Sequence, residues 1–562
     1  MIRARLAIAF LAETILVGSL AMATCGAARG HAAAASPAAV ARMDQIVESY
    51  VKSGQFMGTV LVARGNDILI NKGYGYADLE WKISNVPEAK FRPGSITKQF
   101  TAAAILLLQE RGKLDVHDAV KKYIPNAPAA WDKITIFNLL THTSGIPNFT
   151  SFPNYRSIEP FSQSPDDLIA LFRDKPLDFQ PGEKWSYSNS GYIVLGYLIG
   201  KISGENYAEF VQKNIFDPLG MRDSGYGSNA TIIPDFASGY TPGPKGLVNA
   251  GYVNMSVPFS AGALYSTTGD LFRWEQGLFG GKLLSAESLK EMTTPFKSDY
   301  AFGLMVRSVQ GRKMIDHGGG IEGFNTELAY YPDDRLTVVV LGNVNGGAPG
   351  EIGRDLGTVA EGGRVVLASE RKEVHVDPQV LEGYVGNYQL TPNFSIAITR
   401  DGDHLYEQAT SQPKFEIYPE REKEFFLKVA DAQIEFVTNS QGKATALILH
   451  QNGIDQRGPR VVGAPAPPKE AAVVHVDPKI LNGYVGTYQL VPGFDITITR
   501  DGDHLYEQAT NQPKLEIFPS SEKEFFLKVV DAQITFVTDA QGRVTELVLH
   551  QNGMDHTGKR IN

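Results

Sequence analysis

The chain has one cysteine in 562 residues, Cys25. It stands in a stretch that opens with Arg3 and Arg5, runs apolar from Leu6 to Ala23 and ends in small residues through Ala32 to Ala35. That is the layout of a secretory leader, and its removal would leave a mature chain with no thiol, disulfide or cysteine metal ligand. A lipoprotein cleavage at Met22-Ala23-Thr24-Cys25 is the variant of this expectation. Positive charge is also short. The 53 Lys and Arg face 62 Asp and Glu, a formal net charge of -9, so no basic face is evident that could neutralise many phosphates, and nucleic acid is not an expected partner. The leader's apolar run is short for a membrane span and is broken by Glu13 and Thr14. A periplasmic or secreted chain without a stable span is expected. Paired histidine or cysteine spacings of metal sites are missing too, and no metal or cofactor is expected.

The composition is that of a globular protein, 43% hydrophobic and 20% charged, with length for two to four domains. The last third carries an internal repeat. Val374-His375-Val376-Asp377-Pro378 recurs as Val474-His475-Val476-Asp477-Pro478, and the register holds for about 85 residues at an offset of about 100. Each copy reads as short alternating strands with turns such as Asp401-Gly402-Asp403, which implies a small antiparallel barrel or sandwich per copy. The expected organisation is a leader at 1–35, a first unit at 36–363, one copy at 375–458, a Pro/Ala-rich spacer at 459–473 and the second copy at 474–562. The first unit has a hairpin near each end, one turning at Gly65-Asn66 and one at Pro332-Asp333-Asp334, with helical segments between them. One sheet built from both ends, with an inserted helical part and a cleft between the two, is the economical topology.

Three motifs carry chemistry. Ser95-Ile96-Thr97-Lys98 runs into the apolar, helix-forming Phe100 to Leu108, which places Ser95 at a helix N-terminus and Lys98 one turn away on the same face. A helix dipole favours negative charge developing on a serine oxygen, and a buried lysine loses its proton readily. Ser411 to Lys414 and Ser520 to Lys523 repeat the spacing inside the copies but open no apolar helix. Tyr187-Ser188-Asn189 follows a Pro181-Gly182 turn and precedes the apolar Tyr192 to Ile199, whereas Tyr252-Val253-Asn254 lacks such support. Met314 to Gly320 is a short strand ending in His317-Gly318-Gly319-Gly320, where glycines let a ligand approach the backbone. His142, in Leu140 to Gly145, reads as a structural histidine.

In this order the motifs resemble the Ser-x-x-Lys, Tyr-x-Asn and Lys/His-x-Gly triplet of class C β-lactamases, serine D-peptidases and related esterases. The resemblance spans roughly residues 40 to 360 and includes Leu140 to Gly145 and Gly262 to Thr267. It implies an α/β (α+β) transpeptidase-like catalytic domain, with an antiparallel sheet and a helical subdomain, ahead of two tandem all-β barrels similar to the lipocalin-like barrels of some such peptidases. It also implies Ser95 as nucleophile, Lys98 and Tyr187 as a shared acid/base pair, Asn189, His317, Gly319 and Gly320 as substrate-binding, and an oxyanion hole from the Ser95 and Gly320 amides. His-Gly-Gly stands where lactam-degrading enzymes of class C have Lys-Thr-Gly, and a histidine anchors a carboxylate more weakly. The expectation is thus a D-amino-acid peptidase or carboxypeptidase-type amidase acting on a small-molecule or peptide substrate. A β-lactamase, a short-chain esterase and a penicillin sensor acylated without turnover are the alternatives, and oligomeric state is left open.

Overall fold

A computed structural model describes residues 36–562 apart from 125, 244–245, 310, 368–369, 392–393, 411, 413, 429–431, 452–453, 462–473, 475, 492–493, 510–513, 528–531, 540–541, 552–553 and 562. The expected leader with Cys25, and the spacer from 462 to 473, lie outside the described residues.

The first unit is built on a six-stranded antiparallel sheet. Strands β1 (Gly58–Arg64) and β2 (Asp67–Tyr74) form the expected hairpin, turning at Gly65, whose φ of +56° favours glycine. From the other end come β3 (Met305–Val309), β4 (Arg312–Ile321), β5 (Phe324–Tyr331) and β6 (Leu336–Gly342). The order across the sheet is β2-β1-β6-β5-β4-β3, so the two ends of the unit meet where β1 pairs β6, Val60 opposite Val340 and Val62 opposite Val338. Successive side chains of a strand point to opposite faces. Val60, Val62, Val338 and Val340 therefore enter one core, and Leu61, Ala63, Val339 and Leu341 the other. A sheet covered on both sides explains why β1 and β6 read as unbroken apolar runs rather than as alternating ones.

Four helices cover the sheet: α1 (Pro37–Lys52), α2 (Thr97–Glu110), α3 (Asn189–Ser203) and α4 (Ala348–Ala360). The α1 and α4 helices cover one face with Met43, Ile46, Val47, Ile352 and Leu356. The α2 and α3 helices belong to the larger core on the other face, and α2 is buried from Thr97 to Leu108. The site lies on this second side.

Each repeat closes as an eight-stranded barrel in chain order, the first from Gly386–Thr391 to Ile454–Val461 and the second from Gly486–Val491 to Met554–Arg560. Closure removes the exposed strand edges that invite aggregation. Arg460 and Val461, read from sequence as spacer, close the first barrel by pairing with Tyr388 and Asn387. The cores are copies as well. Tyr384 stacks on Phe436 at 4.4 Å and Tyr484 on Phe536 at 4.2 Å. Among the described residues no helix is long and apolar enough to cross a membrane.

Candidate active site

Ser95 lies on a tight helical turn, Gly94–Ile96, that leads directly into α2. One turn further, Lys98 is wholly buried. Its Nζ contacts the Ala261 carbonyl at 2.8 Å, Asn189 Oδ1 at 2.8 Å and Ser95 Oγ at 3.1 Å. The first two oxygens can only accept, so each takes a hydrogen from Lys98. Burial pushes the Lys98 pKa well below the usual lysine range, which favours the neutral amine. An amine that gives two hydrogens to Ala261 and Asn189 has its lone pair left for Ser95, and the serine hydroxyl can then donate to it.

Tyr187 and Asn189 arrive together at the start of α3. Tyr187 donates its hydroxyl to Ser95 Oγ at 2.8 Å, and burial raises its phenol pKa, so it is protonated at rest. Its ring rests on His142 at 4.4 Å between centroids. Asn189, the first residue of α3, is held by its backbone N–H on Asn148 Oδ1 at 3.0 Å and by Nδ2 on Thr150 at 3.1 Å. The lysine contact is therefore fixed at both ends.

The third motif is the expected strand ending in glycines: Gly318 to Gly320 are paired within β4, one residue short of its end at Ile321, with Gly319 opposite Thr326 and Gly320 opposite Asn325 on β5. They are needed there because the strand runs against the turn that carries Ser95. A Cβ on Gly319 would stand 1.9 Å from the Pro93 carbonyl, and Thr326 donates to that same carbonyl at 2.9 Å. Gly94, at φ +53°, faces the Gly320 backbone, whose nitrogen would stand 2.8 Å from a Cβ there. His317 has Nδ1 2.6 Å from the Gly318 carbonyl, which only accepts, so Nδ1 carries the proton and Nε2 accepts from the Tyr300 hydroxyl at 3.1 Å. Burial, then the charge that Lys98 carries when protonated, bring the His317 pKa down to about 4. It is a neutral ring at ordinary pH.

Ser95 sits between two cavities. One of about 180 Å³ is lined by Phe149, Thr150, Tyr155, Asn189, Ile321 and Glu322 among others. The other, about 380 Å³, is lined by Tyr187, His317, Gly318 to Gly320 and the loop from Gly346 to Gly350. Among the described residues no lysine or arginine lines either one.

All seven residues singled out from sequence, Ser95, Lys98, Tyr187, Asn189, His317, Gly319 and Gly320, fall in this one region. Ser520 instead bonds the Glu524 carbonyl at 3.1 Å at an exposed turn, Ser411 lies outside the described residues, and Tyr252 is a surface residue. His142 accepts from the Ser188 backbone at 3.1 Å and packs against Tyr187, Tyr192 and Tyr300. Sequence reading passed over Ala261 and Tyr300. Ala261 acts through its carbonyl, which no residue type signals, and Tyr300 stands outside every motif.

A model of the family described as Beta-lactamase matches residues 43–360, more than half of the chain. The chain belongs to the β-lactamase family. As a member of it the chain is a serine hydrolase, with the matched region forming the catalytic unit. A second description, domain of unknown function (DUF3471), matches residues 370–459 and 470–560, one match for each barrel. Among its relatives in the family is penicillin-binding protein 4* of Bacillus subtilis, 29% identical over 452 residues that cover 74% of this chain and 98% of that protein. Two solved structures resemble it. The octameric penicillin-binding protein homologue from Pyrococcus abyssi is 26% identical with a TM-score of 0.54, covering 75% of this chain and 99% of that one. The penicillin binding protein from Bacillus halodurans is 28% identical with a TM-score of 0.51, covering 57% of this chain and 98% of that one.

Proposed function

We propose that this family member is an exported amidase that acylates Ser95 and takes D-aminoacyl or small D-peptide substrates. The observation that carries the proposal is the convergence of Lys98 Nζ at 3.1 Å and the Tyr187 hydroxyl at 2.8 Å on one serine oxygen. The steps follow from the protonation states. Ser95 passes its proton to the neutral Lys98 amine as Oγ attacks the carbonyl carbon, and the amides of Ser95 and Gly320 hold the oxyanion. Tyr187 gives its proton to the leaving nitrogen and regains one from Lys98. Water then attacks the acyl-enzyme with the same groups in reverse, releasing the acid and restoring Ser95.

Cavities without lysine or arginine, and a neutral His317, favour an amide or ester over a substrate anchored by its terminal carboxylate. These observations support the amidase reading over a carboxypeptidase or a β-lactamase. Export is supported by the leader-like residues 1–35. Steady-state hydrolysis of D- and L-alanyl p-nitroanilide, beside a D-alanyl-D-alanine peptide and a cephalosporin, tests the substrate. Turnover confined to the carboxylate-bearing compounds would refute the amidase. The names of the penicillin-binding relatives support a second reading, a slowly deacylated penicillin adduct, which the lifetime of that adduct would reveal.

A further inference from the structure

The 180 Å³ cavity beside Ser95 has one charged residue in its lining, Glu322. It follows Gly320 by two positions at the tip of the β4–β5 hairpin, which brings it roughly 7 Å along the chain from the backbone that faces Ser95. Arg156 Nη1 bridges Glu322 Oε1 at 2.8 Å and Glu159 Oε2 at 2.9 Å. The Glu159 side chain is 5% exposed, and its Oε1 is buried with no hydrogen-bond partner among the described residues. Two carboxylates thus share one guanidinium, whose own side chain is 74% exposed and screened by water. Burial, then the neighbouring Glu322, raise the Glu159 pKa to about 7, so the pair takes up a proton where a second cation is missing. Other charged or titratable groups nearby do not supply that cation. Tyr155 is a phenol, and Arg92, which feels the Glu322 charge, lies over the Phe236 and Phe324 rings at 5.7 and 5.6 Å. Phe149, Tyr155, Pro258 and Ile321 add apolar wall beside the polar Ser95, Thr150 and Asn189.

We infer that Glu322, backed by Glu159 and held by Arg156, is the subsite for a primary ammonium on the acyl half of the substrate. It selects amino-acid or short-peptide acyl groups with a free amino terminus and repels acyl groups that carry a carboxylate. The inference rests on Ser95 acylation, since it names which acyl groups the serine receives. Ammonium and carboxylate come together without any bond being made or broken.

The test compares kcat/KM for D-alanyl p-nitroanilide with that for N-acetyl-D-alanyl and N-succinyl-D-alanyl p-nitroanilide, with p-nitrophenyl propionate as a compound that has no amine. Full-length wild type, Glu322→Gln, Glu322→Asp and Ser95→Ala are measured at pH 7. The free amine is expected to be preferred over the acetylated form by about a hundredfold, with the succinylated form poorest, as charge pairing worth ~3 kcal/mol would give. Glu322→Gln lowers that preference at least about tenfold, while Glu322→Asp, which keeps the charge, retains most of it. An equal preference in wild type and Glu322→Gln, with propionate hydrolysis still dependent on Ser95, would overturn the ammonium subsite alone. Propionate hydrolysis that survives in Ser95→Ala would overturn the acylation reading beneath it.

Discussion

At the scale of single residues, the site depends on burial more than on charge pairing. Among the described residues Lys98 has no carboxylate beside it. It is neutralised by desolvation and held by two oxygens that can only accept. Ser95 activation is therefore lost as pH falls through the lowered Lys98 pKa, and the raised Tyr187 phenol predicts no alkaline loss near pH 10. A pH profile of kcat/KM should show an acid limb and a flat alkaline side. Tyr187→Phe keeps the ring on His142 but removes the proton donor, and it should lower kcat by about a hundredfold to ten-thousandfold. His317 gives a prediction about stability. Its folded pKa of about 4 lies below the ordinary 6.5, so the unfolded chain binds the proton more readily. The stability of the neutral ring is present in full above pH 6.5 and is lost as pH falls towards 4, by about 3 kcal/mol at most. Thermal melts should show a smaller loss over that range in His317→Gln.

At the scale of elements, the central device is a turn pressed against a strand. The chain can bring Pro93 to Ser95 against β4 only where β4 has no side chains, and Gly319 is the tightest point. Gly319→Ala should push the strand away from the Ser95 turn, cost about 1–3 kcal/mol of stability and lower acylation by more than tenfold, as followed by melting and by ester hydrolysis. The serine, lysine, tyrosine and asparagine were legible because each motif directly precedes an apolar helix, which fixes where its side chains point. The β1–β2 and β5–β6 hairpins were legible from their turns. The role of the glycines was legible only in part. Sequence suggests room for a ligand, whereas the room at Gly319 is taken by the Pro93 carbonyl. The Glu322, Glu159 and Arg156 cluster was not legible, because Glu322 stands 166 residues from Arg156 in the chain and meets the Arg156–Glu159 pair only when the hairpin tip folds over the helical part.

At the scale of the whole molecule, two barrels with the same core have different surfaces. The segment between the catalytic unit and the first barrel is held to α1 by Arg42 with Glu370 and the Val365 carbonyl and to the barrel by Arg371 with Glu420 at 3.5 Å, and both units line a groove of about 730 Å³. Glu420, Arg421 and Glu435 line that groove, and the second copy has Ser520, Ser521 and Thr535 at the same places in the repeat. The duplication kept the core and changed the residues at the places that line this groove, so two similar barrels were legible in the sequence while the groove was not. Among the described residues, none from the barrels lines either cavity at Ser95. Removal of residues 462–562 should leave kcat/KM for a small ester within about threefold, whereas removal of 364–562 should also lower the melting temperature of the catalytic unit.

The most direct test of the account is intact-mass spectrometry of the purified protein during turnover of p-nitrophenyl propionate or a penicillin, with peptide mapping, for wild type and Ser95→Ala. One acyl group per chain on the peptide that contains Ser95, and none in the variant, is the predicted result. An adduct on another residue, or full hydrolysis by Ser95→Ala, would contradict it.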